Sequence, residues 1–83
     1  MPTLLRQGSL RFFFYSNEGA EAPHVHVEDT AISTSRTAKF WLDPVRLVVS
    51  VQSRPSRWRH AEQLVVEHQQ DFLRAWNEFF SLK

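Results

Sequence analysis

The chain has no cysteine, only two glycines, four prolines and one methionine, and no long apolar run. Without thiols there is neither a disulfide framework nor a thiolate metal centre, so any metal would fall to His or carboxylate ligands. No stretch nears the roughly 18 residues of a membrane span, and Met-Pro-Thr-Leu-Leu-Arg lacks the apolar core of a signal peptide. A cytoplasmic location with no membrane partner is therefore expected. Net charge is almost absent too, at +1. There is no glycine-rich phosphate loop, no dinucleotide fingerprint, no nucleophile elbow and no H-E-x-x-H, which removes the commonest signatures of nucleotide-binding and hydrolytic enzymes.

What is present is apolar and aromatic: 42% hydrophobic residues, with seven Phe, three Trp and one Tyr among 83. That composition excludes a disordered tail, and a chain this short builds one core, so residues 1–83 are expected to form a single domain. Charge is unevenly spread. Pro44 to Ala61 holds Arg46, Arg54, Arg57 and Arg59 and no acid, a local pattern that matters more to anionic partners than the total does.

Leu10-Arg-Phe-Phe-Phe-Tyr15 reads as a strand, with a turn at Gln7-Gly8 and Thr3-Leu4-Leu5 as a short partner strand. Ser16 to Pro23 is a polar loop in which Gly19 is expected to supply a positive φ. His24-Val-His-Val-Glu28 alternates strictly, sending Val25 and Val27 to the core and His24, His26 and Glu28 to the other face. Asp29 to Ser35 is a hairpin connection, Thr37 to Leu42 a further strand, Asp43-Pro44 a turn, and Val45 to Val51 a last strand. Ser56 reads as a helix N-cap with Pro55 in the first turn. Beyond it Ala61, Leu64, Val65, Phe72, Ala75, Trp76, Phe79 and Phe80 recur at helical spacing, in one long helix or two broken near His68-Gln69-Gln70. The expected fold class is α+β: a small antiparallel sheet of about four strands over 1–52, with a helical segment over 53–83 on one face.

The His24-x-His26 pair is the sharpest chemical feature. On a strand both rings point the same way, about 6.5–7 Å apart along the chain. That suits acid–base work near neutral pH or a share in a zinc site, although the sequence places no third ligand. The alternative is a pair of histidines on a solvated sheet face. Lys39 and Trp41 belong to the same face by alternation, with Arg11 or Tyr15 from the neighbouring strand, and a cation beside an imidazole suits phosphate binding and phosphodiester cleavage. Arg54, Arg57, Trp58, Arg59 and His60 form a second cluster, able to grip phosphates and stack a base, to dock an acidic partner, or to sit in water. The Phe72, Trp76, Phe79, Phe80 group reads as core, and Glu18, Glu21 and Asp43 as loop acids.

Met1-Pro-Thr-Leu, Arg6-x-Gly8, Phe12-Phe-Phe-Tyr15, Pro23-His-Val-His-Val27, Ala38-Lys39, Trp41-Leu-Asp-Pro44 and Trp76-Asn-Glu-Phe-Phe80 together resemble a bacterial family long catalogued as a domain of unknown function. That family resembles the toxin half of two-gene toxin–antitoxin modules, sometimes called the DhiT type. The resemblance implies His24, His26, Lys39 and Trp41 as site residues and an antitoxin-like partner encoded by an adjacent gene; it does not supply the reaction. Two positions depart from the family pattern. Ser35-Arg-Thr37 replaces a glycine-containing turn, and Arg59 stands where an acid usually follows the helix-capping serine. The functional expectation is a toxin-like protein that acts on RNA or DNA through the His-x-His face, without a metal. A non-catalytic binding module and a small metal-binding protein are the alternatives. Dimerisation is compatible with an edge strand at Val45–Val51 and a wide aromatic stripe.

Overall fold

The computed structural model describes residues 3–15, 19–31, 36–51 and 54–80. Parts of the expected loop (16–18, with Glu18), the hairpin connection (32–35), the sheet-to-helix junction (52–53) and the end of the helical segment (81–83) lie outside the described residues. Five strands run in sequence, β1 (Thr3–Gln7), β2 (Leu10–Phe13), β3 (His24–Asp29), β4 (Arg36–Leu42) and β5 (Val45–Val51). They pair antiparallel in the spatial order β1-β2-β3-β4-β5. The sheet thus has five strands rather than about four, because Thr3–Gln7 pairs along its length with Leu10–Phe13. Gly8, at φ 59°, turns the chain between these two strands. That left-handed conformation carries a steric cost for residues with a Cβ.

Gly19, expected to hold a positive φ, serves differently. A Cβ there would meet the Phe80 ring at 2.6 Å, so the glycine permits close approach of the loop to the end of the second helix.

After the sheet, a short 3-10 helix (Pro55–Trp58) leads into α1 (Arg59–Glu67) and α2 (Gln69–Phe80). Ser56 is not the N-cap. Arg54 occupies that position without a side-chain cap bond, and Ser56 lies inside the 3-10 turn. The helical stretch is broken at His68, which leaves helical geometry (φ −106°, ψ 16°) while its N–H still bonds Leu64 O. Gln69 Nε2 donates to Leu42 O at 2.6 Å, tying the start of α2 to the end of β4.

Alternation along the strands decides what the helices cover. Phe12, Val25, Val27, Ala38, Phe40 and Leu42 from the sheet form one apolar cluster with Trp58, Ala61, Leu64, Val65 and Phe72 from the helical layer. Phe12 and Phe72 meet with ring centroids 5.7 Å apart. Trp76 is buried as the helical stripe implied, but Phe79 at the end of α2 is 41% exposed. Trp58 corrects an expectation. Flanked by arginines it read as a surface ring able to stack a base; it is 2% exposed, and its indole N–H donates to Ser50 Oγ at 2.9 Å.

Two substitutions test this architecture. Trp58→Ala is expected to destabilise the fold by about 3–5 kcal/mol, the usual cost of truncating a buried Trp. Gly19→Ala is expected to destabilise by roughly 1–3 kcal/mol through overpacking against Phe80. Urea unfolding followed by tryptophan fluorescence checks both; a Gly19→Ala protein as stable as the parent would contradict the close approach.

Candidate functional site

Directly paired residues in antiparallel strands share a face, so the registers lay out the sheet side opposite the helices. Phe13 pairs with His26, His26 with Lys39 and Lys39 with Val49, giving one row across four strands. On one side lies a row of Arg11, Glu28, Thr37 and Val51, and on the other one of His24, Trp41 and Arg46. Phe13, Tyr15, His26, Thr37, Lys39, Val49 and Val51 line a cavity of about 250 Å³ on this face.

His26 is the half-buried centre of the cluster. Its ring stacks on Phe13 (centroids 5.7 Å), meets Tyr15 edge-on at 4.8 Å, and lies 5.1 Å from the His24 ring. Phe13 itself is 2% exposed, because Arg11 lies over its ring at 4.2 Å and Tyr15 abuts it. The accessible rings are therefore Tyr15, His26 and Trp41.

His24 departs from the sequence expectation that both imidazoles look out from an uncovered face. It is 0% exposed, enclosed by Trp41 (5.8 Å), His26 and Trp76 of α2 (4.9 Å). The reason is its position at the start of β3, where the last turns of α2 fold past the end of the sheet. Its Nδ1 is 2.9 Å from Ala22 O. A carbonyl only accepts, so Nδ1 carries the proton and the ring orientation is fixed.

Lys39 and Arg11, two cations of this face, have acidic partners. Lys39 Nζ lies 2.6 Å from Glu21 Oε1 and 4.9 Å above the Trp41 ring. Arg11 Nε is 2.8 Å from Glu28 Oε2, and its NH1 reaches Thr3 Oγ1 at 2.9 Å. Glu21 also stands 3.8 Å from His24 Nδ1. Read from sequence as an ordinary loop acid, Glu21 is a member of the cluster that no motif announces, since its place depends on how the loop folds back over β3 and β4.

The arginine cluster is separate. Arg57 and Trp58 line another cavity, of about 230 Å³, with Ser9, Asp29 and His60, while Arg54 and Arg59 are exposed. Arg57 NH2 lies 3.4 Å from Asp29 Oδ2. Asp29 is held below its ordinary pKa, first by the N–H of Ala31 donating to it, then by Ser9 and the Arg57 charge. A larger cavity of about 640 Å³, lined by Pro23, Asp43, Gln70, Arg74 and Asn77 among others, contains none of the residues singled out above for chemistry. Among the described residues there is no group of three or more His, Cys, Asp or Glu able to hold a metal ion, and no helix long and apolar enough to cross a membrane.

A family model described as a domain of unknown function (DUF4160) matches residues 9–77. No curated protein and no solved structure matches the chain.

Diethyl pyrocarbonate, read out by peptide mass mapping, should modify His26 and His60 while leaving His24 unmodified in the folded protein; modification of His24 at the His26 rate would contradict its enclosure. The second expectation concerns pH. The fold favours ionised Asp29, so its contribution is full above the ordinary carboxylate pKa of about 3.9 and drains away as pH falls through and below that value. Asp29→Asn keeps an acceptor for Ala31 but loses the charge facing Arg57. It should therefore be less stable than the parent at pH 7, with the gap narrowing in urea titrations as pH falls below about 3.9.

Proposed function

Since the chain belongs to the DUF4160 family of domains of unknown function, a membership that names no reaction, we propose from its own residues that its helix-free sheet face binds single-stranded RNA, and from the resemblance its motifs carry that it is the toxin-like component of a two-gene module. One observation carries this reading: His26, Lys39 and Tyr15, from three separate segments, converge on one cavity of about 250 Å³. Rings at a sheet surface stack unpaired bases, and interleaved cations pair the phosphates. Tyr15 and Trp41 are the stacking surfaces and Lys39 the phosphate contact. Its bond to Glu21, whose side chain is 46% exposed, is the one an incoming phosphate must displace.

RNA is favoured over DNA by the chemistry. With a 2′-hydroxyl as the internal nucleophile, cleavage needs no metal-bound water. His26 accepts the 2′-hydroxyl proton as the oxygen attacks phosphorus, Lys39 faces the charge growing on the phosphoryl oxygens, and Tyr15 returns a proton to the departing 5′-oxygen. His24, sealed and bonded to Ala22 O, touches no substrate and holds the His26 ring in place. A partner protein from an adjacent gene would restrain this activity. The burial of His24 favours a second reading, a non-catalytic RNA-binding module, because only one of the two imidazoles is left for proton transfer.

Expression of the chain alone should slow bacterial growth, and His26→Ala should relieve it while preserving RNA binding. Lys39→Ala should weaken binding of a uridine oligonucleotide about tenfold and reduce the salt slope by roughly 0.7, the share of one phosphate contact on a single strand. Growth inhibition unchanged in His26→Ala would leave the binding-module reading. Affinity unchanged in Lys39→Ala would remove both readings.

A further inference from the structure

The strand β5 is an edge of the sheet, and among the described residues no strand pairs with its outer side. Edge strands offer unpaired N–H and C=O groups for pairing with another chain, and natural sheets usually blunt them with charge. Arg46 and a bulge blunt only the first part of this edge. Its sequence is Val-Arg-Leu-Val-Val-Ser-Val, with Arg46 its one charged residue, and Val48, Val49 and Val51 are 39%, 46% and 43% exposed. Two of those valines, Val49 and Val51, also form the wall of the cavity that holds His26 and Lys39. A strand added to this edge therefore borders the functional face directly.

We propose that β5 receives an extended, acidic segment of a partner protein as a sixth strand, so that the partner closes the His26–Lys39 cavity from its valine side. As the partner of the RNA-binding face, this rests on the function proposed above. Charge selects the occupant. Arg46 sits near the start of the strand, Arg54 follows its end, and no acid occurs between Pro44 and Ala61. A second copy of this chain pairing β5 with β5 would bring two such acid-free, arginine-bearing segments together. An acidic strand meets them with opposite charge, and main-chain bonds supply affinity while alternate side chains supply selectivity. The register leaves the second part of the edge regular. Lys39 pairs with Val49 and Phe40 with Leu47, so Val48 is an extra residue that bulges the edge, and Val49–Val51 continues the ladder beside the cavity. A partner residue opposite Val49 stands two strand spacings, about 9.5 Å, from the Lys39 backbone, within the combined reach of a Glu and a Lys side chain.

The test uses the full chain and a synthetic, end-blocked seven-residue peptide alternating valine and glutamate, titrated without RNA so that the docking result stands apart from the RNA reading. The expected result is saturable binding, weakened about tenfold or more by Arg46→Glu, by replacing the glutamates with lysines, and by N-methylating alternate peptide amides. Circular dichroism would confirm that Arg46→Glu folds. Equal binding of acidic and basic peptides, indifference to N-methylation, or no binding of the acidic peptide at millimolar concentration would each overturn the proposal. So would sedimentation showing a dimer that the peptide does not dissociate, since a second copy would then hold the edge.

Discussion

A single helical layer covers one side of a sheet, and successive side chains on a strand point to opposite sides. Everything distinctive about this chain follows from those two constraints acting together. Val25 and Val27 go under α1 and α2 because the helices present Leu64, Val65 and Phe72 there. His26 lies between the two valines and cannot accompany them, and Lys39 and Val49 follow it by register. The candidate face is thus the complement of the core. A one-residue slip in β3 would exchange the two faces, so burial of the valines fixes the site as firmly as it fixes the fold.

The exception is instructive. His24 has the same parity as His26 yet is completely enclosed. Sheet parity determines direction but not depth; depth depends on what passes the end of the sheet, and here that is Trp76. The pair consequently divides its labour: one ring is reachable, the other is fixed through Ala22 O and set against it. Acidic partners temper the face as well. Glu21 and Glu28 hold Lys39 and Arg11 in place, so an anionic ligand must compete with carboxylates.

Much of this was legible from the sequence, because strand alternation and helical periodicity are direct images of burial. His24–Glu28, Thr37–Leu42 and Val45–Val51 could be read as strands from their own residues, and the resemblance to a family catalogued as a domain of unknown function agrees with the matched family model to that extent. Features set by tertiary contact were not legible. The break near His68 is one of two readings of the helical stretch, with no Gly or Pro to decide between them; it coincides with the Gln69 bond to Leu42 O. Trp58 sits among arginines yet faces Ser50 and the core. Glu21 joins the site only because the loop that carries it folds over the start of β3.

On the proposed reading, ligand meets the face carrying His26 and not the helical layer. Nuclear magnetic resonance of isotope-labelled protein titrated with a short uridine oligonucleotide tests it most directly. Shift changes are expected to concentrate at Tyr15, His26, Thr37, Lys39 and Val49, with Ala61, Leu64 and Phe72 unmoved. Changes centred on the helices, or on Arg54 and Arg59 with His26 silent, would contradict it.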